Sequence, residues 1–228
     1  MAPSSFALLI ATSKRTSASD EDCPACAMST VFNIIKINES QIFSEQFISE
    51  STDNDILFSM QKDQKGTGHA VMQTQNHLEN FDGNTLVLSG DVPLISKDTL
   101  HSLIVKHEIN NYDATMLTAE INNPTGYGRV IRDNKNNLKY VCEHKDCNEQ
   151  ELKINEINSG IYVFNNKLLF DLLPKLDNDN AQAEYYLPDV LTLIVNSNGN
   201  VGLKRTSDFI EIQAVSYTHL TLPTKRIV

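Results

Sequence analysis

Between residues 31 and 213, short apolar runs alternate with longer amphipathic stretches. Thr85-Leu-Val-Leu-Ser89 lies between Gly83-Asn84 and Gly90, the pattern of a buried strand. Ala114–Ala119 and Gly160–Phe164 repeat that pattern. Gly128–Arg132 and Leu138–Cys142 flank Asp133-Asn-Lys-Asn-Asn137 and predict a hairpin. A helix is predicted over Ser96–His107, with Ser96 as N-cap and Leu100, Leu103 and Ile104 on one face. A second runs from Asn166 to Leu173 and is stopped by Pro174, and a third runs from Leu187 to Asn196 with Pro188 in its first turn. Strands alternating with helices predict an α/β domain around a doubly wound, mostly parallel sheet. Ligands of such sheets bind outside the carboxyl ends of the strands. That directs attention to Gly90-Asp91, to Glu143, and to the turns near Gly66 and Gly126.

The flanks have a different texture. Residues 1–30 are rich in Ser, Ala and Thr without a hydrophobic period, and residues 214–228 form a polar, Thr-rich tail. The 228 residues suffice for one sizeable core, and 40% hydrophobic with 21% charged residues argues against a wholly disordered chain. No apolar run approaches the ~20 residues of a membrane span. Phe6–Ala11 is short for a signal core, and Lys14 and Arg15 follow it rather than precede it, so a cytoplasmic chain is expected. A net charge of −10 with no basic stretch argues against nucleic acid as a partner. It leaves room for an anionic nucleotide held by backbone amides and a few lysines. The four cysteines, Cys23-Pro-Ala-Cys26 and Cys142 with Cys147, allow a four-thiolate zinc site or four ordinary thiols. The wide spacing of the second pair favours thiols.

Four segments carry candidate chemistry. Gln61-Lys-Asp-Gln-Lys-Gly-Thr-Gly-His-Ala70 is a glycine turn opening an amphipathic helix, where backbone N–H groups can meet a base or phosphate. It is neither a Walker A loop nor a G-x-G-x-x-G fingerprint, and a plain helix-start turn is the alternative. Leu86–Leu94 puts Asp91 at the mouth of a strand behind Gly90, a place for Mg²⁺ or for an Asp that caps a turn. Asn123-Pro-Thr-Gly-Tyr-Gly-Arg129 shapes a rim or a structural loop. Asn158 stands directly before the Gly160–Phe164 strand, where it suits sugar hydroxyls or an Asx turn. His69, His77, His101 and His107 read as packed or solvated helix residues.

Together these segments resemble the N-acetylglucosamine-1-phosphate uridyltransferase domain found in the N-terminal half of bifunctional GlmU proteins. The resemblance spans residues of about 56–213. It rests on Gln61…Gly66-Thr-Gly-His-Ala70, Leu88-Ser-Gly-Asp-Val-Pro-Leu-Ile95, Asn123–Arg129, Glu143-His-Lys-Asp146, Glu156-Ile-Asn-Ser-Gly160 and Asn180-Ala-Gln-Ala-Glu-Tyr-Tyr186. It implies a Rossmann-like nucleotidyltransferase fold, UTP and N-acetylglucosamine 1-phosphate as substrates, and Mg²⁺ as cofactor. By the same resemblance Gln61 and the Gly66-Thr67 backbone read uracil, Asp91 binds Mg²⁺, and Gly128, Glu143 and Asn158 hold the amino sugar.

The ends depart from that pattern. The family's glycine-rich phosphate loop corresponds to Leu9-Ile-Ala-Thr-Ser-Lys-Arg-Thr-Ser17, where Ser13 and Arg15 replace glycines and Ser17 stands at the Arg position. Side chains there would crowd a phosphate against the backbone, so residues 1–30 read as a degenerate or non-native segment without catalytic roles. After Glu211-Ile-Gln213, Ser216 stands where the family has a metal-binding Asn. Codons GTC TCT TAT ACA CAT CTG ACG CTG CCG ACG would spell Val215–Thr224 and match a transposase-type sequencing adapter. Residues 31–213 are thus expected to be an incomplete uridyltransferase domain, and 214–228 an adapter-derived tail. No β-helix acetyltransferase domain follows, so acetyl-CoA chemistry is not expected. The alternatives are a nucleotidyltransferase for another sugar phosphate and a non-catalytic sugar-nucleotide binding protein. The sequence leaves the oligomeric state open.

Overall fold

The computed structural model describes residues 8–13, 35–37, 57–90, 92 and 94–213. Asp91, Ser17, Cys23, Cys26 and the 214–228 tail lie outside the described residues. The strands are β1 (Leu8–Ser13), β2 (Ile35–Ile37), β3 (Leu57–Ser59), β4 (Asn84–Ser89), β5 (Ala114–Glu120), β6 (Arg129–Arg132), β7 (Leu138–Cys142), β8 (Glu156–Asn165) and β9 (Val201–Arg205). The helices are α1 (Thr67–Met72), α2 (Gln75–Leu78), α3 (Lys97–Ile109), α4 (Asn166–Leu172) and α5 (Asp189–Asn196). Ser96 caps α3 as its sequence predicts, its hydroxyl accepting from the Thr99 amide.

The main sheet runs β3-β2-β1-β4-β8-β5-β9, with the β6–β7 hairpin joined to β8. The α/β, doubly wound expectation holds, with a qualification about direction. β2, β3, β4, β5 and β9 point one way, while β1 and β8 run against their neighbours. Side chains alternate between two buried faces. Val87, Met116, Tyr162 and Phe164 pack on α1, α2, α4 and α5. Leu86, Leu88, Leu117, Ile161 and Val163 pack on Leu103 of α3 and on Ile212. A sheet covered on both faces needs continuous apolar runs, which is why β4 and β5 read as buried strands.

Two local expectations are corrected. Asn158 does not precede β8 but is its third residue. The strand starts early because Glu156 pairs with Glu120 of β5, and its carboxylate takes Arg132 at 2.7 Å and the Thr118 hydroxyl at 2.8 Å. Between the pairs Met116–Tyr162 and Thr118–Asn158, β5 advances through Leu117 alone while β8 advances through Ser159, Gly160 and Ile161. This bulge puts Gly160 at φ +76° and explains why Asn-Ser-Gly reads as a strand boundary. Pro174 does stop the α-helix, which ends at Leu172, and it lies inside a following 3-10 turn, Leu173–Lys175. Pro188 is the N-cap of α5 rather than part of its first turn.

One buried side chain joins three elements. Asn166 accepts from the Thr85 hydroxyl at 2.6 Å and donates to the carbonyls of Leu78 and Phe81 at 2.6 and 2.8 Å. It fixes the start of α4 against β4 and the end of α2.

Candidate functional site

A cavity of about 490 Å³ opens where β4 ends and β8 begins. Ser89 and Val92 line it from the β4 side, and Asn158, Ser159 and Gly160 from the bulge of β8. Thr67, Gly128 and Glu143 complete the set of sequence-selected residues on its wall. Four segments far apart in the chain therefore meet there.

The β6–β7 hairpin sets the sugar-side geometry. A Cβ on Gly128 would lie 3.1 Å from the Glu143 Oε1, so the glycine is what lets that carboxyl stand against the backbone. The Gly128 carbonyl accepts from the Asn158 amide at 2.9 Å, which ties the rim to β8. The Asn158 Oδ1 accepts from the Gly160 amide at 3.0 Å, as an Asx turn does. Its Nδ2 donates to the Tyr162 hydroxyl at 2.7 Å. Tyr162 was not singled out by sequence, because it looks like an ordinary core aromatic.

The electrostatics of this wall are acidic. Burial pushes Glu143 up to about 7, and Asp189, Asp146 and Glu184 add to the rise. Asp189 is itself pushed up to about 6 by burial and then by Asp177 and Asp146. Near neutrality Glu143 can thus both donate and accept, which suits a neutral polyol better than a phosphate. Asp189 gave no sequence signal, since an acid in the first turn of a helix is usual there. Gln182, Glu184 and Tyr186 of the Asn180–Tyr186 block also line the wall. Asp146 accepts from the Ala181 amide at 2.8 Å and from the Tyr186 hydroxyl at 3.2 Å.

The glycine turn before α1 has a different role. Gly66 sits at φ +98°, and a Cβ on it would be 2.6 Å from the Tyr185 carbonyl oxygen. The Gly68 amide donates to that carbonyl at 2.8 Å, and the Leu187 amide donates to the Thr67 Oγ1 at 3.0 Å. Gln61 is buried, and its Nε2 lies 3.1 Å from the Gly66 carbonyl and 3.0 Å from His69 Nδ1. Gln61 and Gly66 therefore stand behind the cavity wall, and Thr67 stands on it.

The other nominated positions are placed only by their neighbours. Asp91 itself is outside the described residues; in the chain it stands between Ser89 and Val92, both on the wall. The segment compared with a phosphate loop behaves otherwise. β1 runs antiparallel to β4, pairing Ser13 with Asn84 and Leu8 with Ser89. The chain thus leaves β1 at the far end of β4 from the cavity. Among the described residues, no helix is long and apolar enough to cross a membrane.

Comparison with known proteins agrees with this architecture. Residues 14–207 match the family described as Nucleotidyl transferase. Proteins named Bifunctional protein GlmU from Staphylococcus carnosus and Staphylococcus saprophyticus are 46% and 47% identical over 169 residues, 74% of this chain. The match covers 37% and 38% of those proteins, so the chain spans well under half the length of the curated relatives it matches. A Bacillus anthracis structure, provisionally named as a glucose-1-phosphate thymidylyltransferase in complex with sucrose, superimposes with a TM-score of 0.59 at 16% identity. It covers 75% of this chain and 66% of its own, a likeness of fold.

Proposed function

Because the chain belongs to the nucleotidyl transferase family, we propose that its parent activity is transfer of UMP from UTP to N-acetylglucosamine 1-phosphate. The products are UDP-N-acetylglucosamine and pyrophosphate. A phosphate oxygen of the sugar attacks the α-phosphorus in line, the bond to the bridging oxygen breaks, and pyrophosphate leaves. No covalent enzyme intermediate is needed, so catalysis is positioning and charge neutralisation.

One observation carries the reading: Gly128, Glu143 and Asn158, chosen on sequence, share one cavity wall with Thr67. Gly128 gives the sugar access to the backbone. Glu143 and Asn158 supply the hydrogen-bonding groups that an acetamido sugar matches. Thr67 and the strap from Lys65 to Tyr185 hold the nucleotide-side turn, with Gln61 buttressing it. Asp91 is the carboxylate assigned to Mg²⁺, which when bound neutralises phosphate charge. The substrates are small and anionic or polyhydroxylated, in keeping with a cytoplasmic enzyme of cell-wall precursor synthesis and with no role for nucleic acid or membrane.

In this chain the acceptor half is the better-furnished half. The residues at the family's phosphate loop carry side chains in place of glycines, and Ser13, the last residue of β1, pairs with Asn84 at the end of β4 remote from the cavity. Titration calorimetry with UDP-N-acetylglucosamine and UDP-glucose tests the reading. The expected result is at least ~10-fold preference for the acetamido sugar, or about 1.4 kcal/mol, abolished by Glu143→Ala. Equal binding of the two would overturn the sugar assignment. Pyrophosphate release from UTP and the sugar phosphate should be near zero. An ordinary enzyme rate would overturn the reading of the N-terminal segment.

A further inference from the structure

The hairpin that carries Glu143 ends in a second cluster, on which the reaction above makes no demand. The Cys142 Sγ, the Cys147 Sγ and a Glu151 carboxylate oxygen all lie within 4.8 Å of one another. Among the described residues this is the group that brings three metal-ligating side chains together. Cys142 is buried, and Cys147 and Glu151 are half-buried, so the cluster opens to solvent on one side.

Its surroundings are prepared in two ways. Glu151 is held by the Tyr140 hydroxyl on one oxygen and by the Asn148 amide, at 2.8 Å, on the other. Groups that orient a carboxylate in this manner are what metal ligands have behind them. Charge is the second point. Arg129 is the cross-strand partner of Cys142, is 2% exposed, and has an Nε without a hydrogen-bond partner. Two thiolates and a carboxylate around a dication carry a net charge of −1, which the buried guanidinium balances.

We propose that Cys142, Cys147 and Glu151 bind a thiophilic divalent cation of the zinc class, with water in the fourth position. Metal–sulfur bonds of about 2.3 Å in a tetrahedral site require the donors to draw together by only about 1 Å from the upper limit seen here. Binding is a balanced exchange: the dication enters, the two thiols form metal–sulfur bonds, and their two protons go to solvent. The ion ties the end of β7 to the 3-10 turn Glu151–Lys153 and so closes the loop that carries Glu143 and Asp146. This differs from a four-thiolate site, because Cys23 and Cys26 take no part. It does not depend on the identity of the sugar nucleotide.

The test uses the full chain carrying Cys23→Ser and Cys26→Ser, kept reduced with a phosphine. Titration with Co²⁺ should give one equivalent of binding with thiolate-to-cobalt charge transfer, displaced by Zn²⁺. Cys147→Ser should weaken binding by more than the ~10–100-fold typical of an outer-shell change. Glu151→Gln should weaken it while keeping the charge-transfer band. Zn²⁺ should also slow alkylation of Cys147 at least tenfold, a readout that needs no further variant, and slow amide exchange over residues 143–151. Absence of the band at stoichiometric Co²⁺, or its persistence when both Cys142 and Cys147 are serine, would overturn the proposal. So would an alkylation rate indifferent to Zn²⁺.

Discussion

Acid should loosen this fold through one histidine. His107 lies on α3 at 2% exposure, with its Nδ1 3.0 Å from the Thr115 hydroxyl and its Nε2 3.2 Å from the Asn84 Oδ1. The Asn84 oxygen only accepts, so Nε2 carries the hydrogen and Nδ1 accepts from Thr115. The charged ring would keep both contacts only with the Thr115 hydroxyl turned to accept, so what opposes the proton is burial rather than the bonds. Burial accordingly lowers its pKa to about 4, against a small opposing pull from Asp113. In the unfolded chain the ring takes up a proton near 6.5, so acid favours unfolding. The stabilisation is complete above about 6.5 and is lost progressively as pH falls toward 4. At ~1.4 kcal/mol per pH unit between the two values, the full loss is roughly 3 kcal/mol, of which roughly 1.4 kcal/mol is gone by about pH 5.5. That pH also keeps the protein off its isoelectric point near 5.0. Urea unfolding of the native chain and of His107→Gln, at about pH 7.5 and about pH 5.5, isolates the contribution as a difference of differences. The native chain should lose about 1.4 kcal/mol more than the variant, or roughly 3–6 °C in Tm for a domain of this size. Curves that stay parallel within about 0.5 kcal/mol would refute the assignment.

Other outcomes follow from single features. Asn166→Ala strands the Thr85 hydroxyl and two carbonyls in the core, and should cost about 3–4 kcal/mol in chemical denaturation. Gly66→Ala meets both a positive φ and the Tyr185 carbonyl, whereas Gly126→Ala meets a φ of +90° with nothing within 4 Å. The first should lower stability by at least 2 kcal/mol more or less irrespective of pH, the second by about 1 kcal/mol; equal losses would show that the Tyr185 strap gives way. Asp189 titrates opposite to His107: its carboxyl is raised to about 6, so its contribution is lost as pH rises from 3.8 through 6. Asp189→Asn should gain about 1 kcal/mol at pH 8 after allowance for partial exposure, and a loss there would count against it. Truncation after Gln213 should leave Tm unchanged within error, since the described core closes on Ile212.

Strands and helices were legible where burial on two faces demands long apolar runs, as at Thr85–Ser89 and Ala114–Ala119. The direction of each strand was not, because nothing in a six-residue apolar run distinguishes up from down. β8 shows the limit. Its sequence breaks at Asn158-Ser-Gly160 because turn residues occur in bulges as well as in loops. The resemblance pointed to Gly128, Glu143 and Asn158, and the fold brings these three to one cavity wall. Asp189 and Tyr162 were not legible, because a helix-start acid and a core tyrosine are ordinary until folding puts them beside Glu143. Gln61 was found as part of a motif, yet the structure spends its Nε2 on the Gly66 turn. The thiol cluster hid for a similar reason, since its third member, Glu151, is an unremarked surface acid four residues past Cys147.

The two surplus residues of β8 make the floor of the cavity a length mismatch between neighbouring strands. Ser159 stitches that mismatch shut, its hydroxyl donating to the Leu117 carbonyl at 2.7 Å and accepting from the Ile161 amide at 3.2 Å. A chain shortened by two residues there would regain an uninterrupted ladder and keep the same side chains facing each half of the core, because an even deletion preserves the alternation. It would also lose the hollow that Asn158 and Gly160 line together with Gly128. The irregularity thus trades two rungs of sheet pairing for a concave surface, a cost in regular hydrogen bonding that only the hollow itself offsets.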